Sequence, residues 1–348
     1  MKVSGFRRLS LALTILAVAL SGSILSAQDI AGGGSLIRDL TGGAALIFRA
    51  PKDPVVHLAS LNATPLGGTI KGGKKPPKPT VRKQDQAIAR ANAARSAPKP
   101  RYEEAEEQYR LAASIAPDDA RAFAGLGNVY VDQGRFKDAS DAYQQALKLK
   151  PDYSAALLPL AFSLARMDRY PESIDVYQKA LQVEPNNPEI FNNLSFAYNQ
   201  MNRFQEAVGA SQTAIRLLGA TGEAYVQGFQ ERNEILSYAY KNLGNAYNGL
   251  NRFEEAANAL KKSAEIEPTN AAAHFNLGLT LYNARRYSEA IEAYKQVIKL
   301  RPNLAQAHYN LGLTYLAIND RKQAMDEYQV LKSLSPQLAE QLMSVIKP

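Results

Sequence analysis

The chain has 348 residues, a formal net charge of +8 and no cysteine, which excludes disulfides and thiolate chemistry. The positive charge lies near the N-terminus: residues 1–100 hold 15 Lys or Arg against four acidic residues, whereas residues 101–348 hold 26 against 29. This distribution argues against nucleic acid as a partner, because no basic face would run along the larger part of the chain.

Residues 1–27 have the three parts of a secretory signal peptide. Lys2, Arg7 and Arg8 precede the apolar run 9–20, and small residues follow it up to Ala27. We predict cleavage after Ala27 and export to the periplasm or the extracellular space. The alternative is an uncleaved membrane anchor, since residues 9–27 are just long enough to span a bilayer.

Residues 28–85 form a basic tail rich in glycine and proline, which we expect to be mostly disordered. Its apolar runs, 44–48 and 55–59, suit a hairpin or a docking strand but offer too little surface for a core. The tail's charge would allow weak contact with an anionic surface such as a membrane or a cell-wall polymer. The alternative is a solvated spacer.

From residue 120 onwards, the same pattern of residues returns every 34 positions. In the first clear copy, Phe123, Leu126 and Tyr130 recur with helical spacing, while Tyr143 belongs to a second helix that Pro151 ends. Each copy is therefore predicted to be an antiparallel pair of helices. The pattern resembles the tetratricopeptide repeat family, which implies an all-α solenoid, a right-handed αα-superhelix.

The repeat register divides the rest of the chain into seven copies, an insertion and a cap. A degenerate copy at 86–119 precedes six clear ones, at 120–153, 154–187, 188–221, 237–270, 271–304 and 305–338. The insertion, 222–236, is close to four helical turns, so we predict that it extends the next helix to 222–249. Tyr225 and Phe229 would then offer a second contact surface, or be covered locally. Residues 339–348 are predicted to form a capping helix.

Each copy also has a turn residue between its two helices. Most of these residue types tolerate the left-handed conformation that ends a helix. The turn residues are Gly134, Asp168, Asn202, Asn251, Arg285 and Asn319.

The resemblance implies that the first helix of each pair lines a concave groove, through positions 2, 5, 6, 9, 12 and 13 of the repeat. Asn245 lies at position 9, and asparagine fills position 6 in four consecutive copies. Such a row of amides could pair with the backbone of an extended peptide, because each amide both donates and accepts hydrogen bonds. Alternatively, the amides bond within the array. The asparagines at position 6 are Asn193, Asn242, Asn276 and Asn310.

Family members that bind chaperone tails grip two carboxylates with lysine, asparagine and arginine side chains. Lys241, Asn245 and Asn276 match the first two parts of that clamp, but uncharged Gln306 and Asn310 stand where its third part requires cations. We therefore do not extend the resemblance to this ligand, which would lack its strong partner.

Two further departures from the repeat pattern bear on function. In the copy at 154–187, Leu158 and Phe162 make the groove apolar, which suits an apolar side chain of a partner or a variation in packing. His274 and His308 lie one period apart, where the family carries a large aromatic residue. This regularity indicates packing within the helix pair, not metal binding.

We predict an exported scaffold or adaptor that binds proteins or extended peptides in its concave groove, with no cofactor and no metal. The alternative is a structural subunit or assembly factor of a cell-envelope or secretion complex, with contacts through the convex face and residues 222–236. An enzyme is not expected, because no catalytic constellation stands outside the repeat pattern. The predicted peptide-binding residues are Leu158, Phe162, Asn193, Lys241, Asn242, Asn245, Asn276, Gln306 and Asn310.

Overall fold

A computed structural model describes residues 82–220 and 229–347, which form helices joined by turns. The predicted signal peptide and residues 28–81 of the tail lie outside these ranges. The described residues fall into two compact units, divided between Asn186 and Asn187. Both are built from antiparallel helix pairs, so the predicted all-α repeat architecture is confirmed.

The first unit contains three pairs. Each helix packs against the next along the chain, and the first helices of successive pairs also touch. This is the packing expected when a repeat buries its apolar face against its neighbours. The helices are α1 (Lys83–Arg95), α2 (Tyr102–Ile115), α3 (Ala120–Asp132), α4 (Phe136–Leu149), α5 (Ser154–Arg166) and α6 (Tyr170–Val183).

The second unit contains four pairs and a final single helix. Its helices pack in the same way, and the last one covers the final pair. They are α7 (Pro188–Gln200), α8 (Phe204–Ala220), α9 (Phe229–Gly249), α10 (Phe253–Ile266), α11 (Ala271–Asn283), α12 (Tyr287–Leu300), α13 (Ala305–Ala317), α14 (Arg321–Leu334) and α15 (Pro336–Ile346). Within the described ranges, no helix is both long and apolar enough to cross a bilayer.

The turns inside the pairs follow the sequence prediction. All six predicted turn residues have positive φ, from 56° at Asn202 to 72° at Gly134. The amide that follows each of them donates to the carbonyl five residues earlier, as Arg135 does to Tyr130 at 2.8 Å. This bond satisfies a carbonyl that the ending helix leaves open, so one residue per repeat reverses the chain.

Glycine at position 8 of the repeat lets the two helices of a pair approach closely. At Gly278, a Cβ atom would lie 2.7 Å from Cε1 of Tyr294, which is much closer than a normal contact. The Tyr294 ring is buried and packs edge-on against Phe275, with the ring centroids 6.0 Å apart. The ring of the second helix therefore fills the space that glycine leaves.

Two predicted boundaries shift by three residues. Helix α1 begins at Lys83, so the last three residues of the predicted tail, 83–85, are helical. The AlaProLysPro segment lies in the turn after this helix and leaves it uninterrupted, so the degenerate copy forms a full pair. Helix α15 begins at Pro336 instead of 339, because the Ser335 hydroxyl accepts from the Leu338 amide and caps the helix there.

The insertion lengthens both helices that flank it. Helix α8 has 17 residues and α9 has 21, against 13 or 14 in the other pairs. Leu218 and Ile235 pack together, and Arg232 Nε donates to the Leu218 carbonyl at 2.9 Å. The predicted single helix over 222–249 is thus described from 229 onwards. Residues 221–228, with Tyr225, and the side chain of Phe229 lie outside the described residues.

Candidate functional site

The predicted groove residues of the second unit lie on the first helix of each pair. These helices, α7, α9, α11 and α13, touch in succession. We call the surface formed by positions 2, 5, 9 and 12 of these four helices the A-face. Position 6 carries the predicted row of asparagines. The contacts of those amides decide whether they bind a ligand or hold the helices together.

Between α7 and α9, the amides bond from one helix to the other. Asn242 Nδ2 donates to the main-chain oxygen of Asn192 at 3.2 Å and to its Oδ1 at 3.0 Å. Asn199 Nδ2 donates to the Asn242 carbonyl at 2.9 Å, and Asn192 Nδ2 donates to Asn193 Oδ1 at 3.1 Å. Asn193 and Asn242 are buried, at 0% and 1% exposure. The Asn242 amide therefore joins neighbouring repeats, whereas the bond from Asn192 to Asn193 lies within α7.

The same arrangement continues between α9 and α11. Asn276 Nδ2 donates to Asn245 Oδ1 at 2.9 Å, and Asn248 Nδ2 donates to Thr280 Oγ1 at 2.7 Å. Asn276 is buried, as is Asn310 in the last pair. Asn242 and Asn276 thus bond within the array, which is the alternative that the sequence left open, and contact of the position-6 asparagines with a peptide stays a prediction. Buried amides need partners, and for Asn242 and Asn276 a neighbouring helix supplies them.

Lys241 is also inaccessible. Its side chain is buried, and its ammonium lies 4.9 Å from the centroid of the Tyr238 ring. A cation over an aromatic ring is stabilised inside the protein, so this lysine contributes to packing. Of the residues that match the carboxylate clamp, Asn245 is the partly exposed one.

In the first unit, the two predicted apolar groove residues differ. Phe162 is buried and meets the Phe136 ring edge-on, with centroids 6.1 Å apart. The Arg166 guanidinium lies 4.6 Å from the Phe136 centroid and 5.7 Å from that of Phe162. Phe162 is therefore a packing residue, whereas Leu158 stays partly exposed.

The A-face also carries accessible residues that the sequence analysis missed. Leu279 and Leu313 at position 9, Tyr309 at position 5 and Tyr282 at position 12 are partly exposed, and Gln306 lies beside them at position 2. Reading every groove position in every copy, and not only the asparagines, would have found this cluster. Together these residues form an apolar surface with polar tips.

The two tyrosines remain neutral donors at physiological pH. Burial raises the pKa of Tyr282, and the nearby phenols of Tyr287 and Tyr309 add to that effect. Burial also raises the pKa of Tyr309. The Tyr282 ring packs edge-on against Tyr287 at 5.4 Å, which holds it in place.

His308 packs inside the last helix pair, as the sequence predicted. Its Nδ1 lies 2.7 Å from Glu327 Oε2, and its Nε2 lies 2.8 Å from the Pro302 carbonyl oxygen. Burial lowers the pKa of His308, but the hydrogen bonds to Glu327 and Pro302 and the charge of Glu327 outweigh burial and raise it. Both partners are acceptors, so the charged imidazolium satisfies both contacts.

Among residues 82–220 and 229–347, no group of three His, Cys, Asp or Glu side chains could hold a metal ion. His274 and His308 are therefore not part of a metal site there.

Family models match most of the repeat array. Four of them, described as TPR repeat or tetratricopeptide repeat, match residues 124–189, 176–209, 244–284 with 286–319, and 306–337. Together they cover slightly more than half of the chain. No curated protein matches the sequence.

Solved structures share the fold. PilF of Pseudomonas aeruginosa is 20% identical, with a TM-score of 0.53 over 66% of this chain and 98% of that one. PilW, described as a type IV pilus biogenesis factor, is 19% identical, with a TM-score of 0.56 over 64% and 98%. A tetratricopeptide repeat protein from Parabacteroides merdae is 13% identical, with a TM-score of 0.56 over 76% and 99%. At these identities, the likeness concerns the fold alone.

Proposed function

The chain belongs to the tetratricopeptide repeat family, and we propose that it is an exported adaptor that holds a protein or peptide partner on the A-face. The family makes it a protein-interaction scaffold. The observation that carries the finer proposal is the partly exposed cluster of Leu279, Tyr282, Tyr309 and Leu313 on α11 and α13. Aromatic residues in such a setting are typical of interface centres.

The chemistry of the A-face suits a partner segment with apolar side chains. Leu279 and Leu313 offer apolar contact, the tyrosine hydroxyls donate hydrogen bonds, and Gln306 and Asn245 can pair with a peptide backbone. Asn245 already accepts from Asn276, so it would offer the partner its remaining amide groups.

A charge-insertion experiment tests the A-face. The double variant Asn245→Asp and Gln306→Glu places two carboxylates there while keeping the acceptor that Asn276 uses. We expect crosslinking pulldown from the exported compartment to lose the partner, because the charges must be desolvated on binding. Gln337→Glu, on the exposed side of α15, is the matched control and should retain it. Unchanged capture by the double variant would contradict the proposal.

Export rests on residues 1–27. N-terminal sequencing of the protein recovered from its native host should begin at Gln28, directly after the predicted cleavage site. A chain that still begins at Met1 in a membrane fraction would instead support the uncleaved anchor.

A second candidate is an assembly factor of a cell-envelope complex. It is favoured by the likeness in fold to PilW, a pilus biogenesis factor, and by the lengthened α8 and α9. Replacing residues 221–228 with a Gly/Ser linker of equal length separates the two proposals. The replacement should release the chain from a large envelope complex on native gels if this second role holds, and should leave A-face capture unchanged if the first does.

A further inference from the structure

A cleft of about 500 Å³ lies between α10 and α12 and has α11 as its floor. Ala257, Leu277, Leu281 and Ala293 make much of its lining apolar, and His274 and Lys261 also line it. It is formed by second helices of two successive pairs, so it is distinct from the A-face.

The next copy of the repeat shows what such a cleft can hold. His308 lies one period after His274, and both rings use Nε2 to contact the carbonyl oxygen of the proline six residues earlier, at 2.8 and 3.0 Å. His308 Nδ1 also meets the Glu327 carboxylate at 2.7 Å. The residue one period before Glu327 is Ala293, which lines the cleft. His274 Nδ1 makes no hydrogen bond with any residue that the structure describes.

Two other lining positions explain why the cleft between α10 and α12 is open. Ala257 and Leu281 line it, whereas the positions one period later hold the larger Ile291 and Tyr315, both buried. Ala293 likewise stands one period before Glu327. At all three positions the cleft has the smaller side chain, and this leaves the space that larger side chains fill in the following copy. The cleft is thus the same pocket without its internal carboxylate.

The charges around the cleft are compatible with an acidic guest. Glu289 and Glu254 share Arg286, each at 2.7 Å, and Glu292 pairs with Lys295 at 3.1 Å, so each lining carboxylate has a cationic partner. Lys261 makes no direct ion pair among the described residues, and, besides the hydrogen bond from Arg286, its charge helps to lower the pKa of the lining Glu289 carboxyl. It therefore offers, beside His274, a cation for an incoming carboxylate.

We propose that this cleft binds a glutamate side chain of a partner protein, in the way that Glu327 occupies the equivalent pocket. The apolar lining selects a glutamate flanked by apolar residues. This site does not depend on the A-face, so either can fail without the other.

Imidazole NMR of the full chain tests the site directly, because the protein has only three histidines. The probes are the capped pentapeptide acetyl-Ala-Leu-Glu-Leu-Ala-amide and its twin with Gln in place of Glu. We expect the Glu peptide to shift the His274 signals saturably, with an affinity about tenfold higher than the Gln peptide, as a charge-assisted hydrogen bond requires. Equal shifts with both peptides, or none, would overturn the proposal.

Variants locate the binding. Ala293→Glu should abolish the shift by supplying the carboxylate from within, and Lys261→Met should weaken binding several-fold. Lys299→Met, an exposed lysine of α12 outside the cleft, should bind like the parent. If Ala293→Glu fails to fold, His274→Phe, read through the Leu277 methyl signals, replaces it and should also lose the Glu peptide. Binding that survives in these cleft variants would contradict the assignment.

Discussion

Gly278 tests the packing of the repeat most sharply. Replacing it with alanine would place a Cβ 2.7 Å from Cε1 and 2.9 Å from Cδ1 and Cζ of the buried Tyr294 ring. To restore a normal contact, the ring would have to move by roughly 0.7 Å in an interior packed at crystal density. Because Tyr294 packs edge-on against Phe275, that movement would disturb the neighbouring ring as well.

Opposing effects set the size of the change. Overpacking costs about 1–3 kcal/mol, and a disturbed aromatic pair costs up to about 1.5 kcal/mol. Alanine in place of glycine inside a helix stabilises the folded state by about 1 kcal/mol. The net expectation for Gly278→Ala is a destabilisation of up to about 3.5 kcal/mol. Gly209 in α8 is the matched control, because it is exposed and its Cβ would meet nothing within 4 Å. Gly209→Ala should stabilise by about 0.5–1 kcal/mol.

Urea unfolding followed by circular dichroism measures both variants against the parent protein. The two midpoints should move in opposite directions, Gly278→Ala to lower and Gly209→Ala to higher urea. If both variants were stabilised, the close approach at Gly278 would not exist and the packing described for position 8 would be refuted.

Three further predictions concern single residues. Arg285→Gly should add about 0.5–1 kcal/mol to the free energy of unfolding and so raise the thermal midpoint, because arginine at φ 60° is strained where glycine is not. A lower midpoint would contradict this. Asn242→Ala should lower the free energy of unfolding in urea by about 1–3 kcal/mol, since its bonds to Asn192 are buried; unchanged stability would argue against a structural role. His308 has a raised pKa, so its stabilisation is fully present below the unfolded value of about 6.5 and is lost as pH rises through the folded value. The urea stability difference between the parent and His308→Gln should therefore shrink from pH 5.5 to pH 8.5, and a constant difference would contradict the charged pair.

The sequence predicted the fold in detail because each copy of the repeat carries the same spacing of apolar residues and the same turn position. Periodicity placed the helices, and the six turn residues adopt the left-handed conformation, including Arg285, whose residue type alone would not suggest it. The boundaries at Lys83 and Pro336 were missed by three residues. The charged, proline-rich composition before Lys83 predicted a tail and hid the start of α1. The Ser335 cap starts α15 at Pro336, three residues before the predicted boundary.

The candidate site was harder to predict, because the position of a residue in a repeat does not say which neighbour its side chain will meet. Asn242 and Asn276 lie where the family presents a groove, yet their amides reach the adjacent first helices. Conversely, Tyr282 and Tyr309 look like core residues by type and remain partly exposed. Hydrogen bonds between repeats depend on distances that the 34-residue period does not contain.

Site-specific photocrosslinking in the native host tests the central claim most directly. A benzophenone amino acid would replace Tyr309 or Gln306 on the A-face, or exposed Lys299 on α12 as the control. The account predicts that both A-face positions capture the same partner and that Lys299 does not. Capture at Lys299 alone, with no adduct at either A-face position, would contradict it.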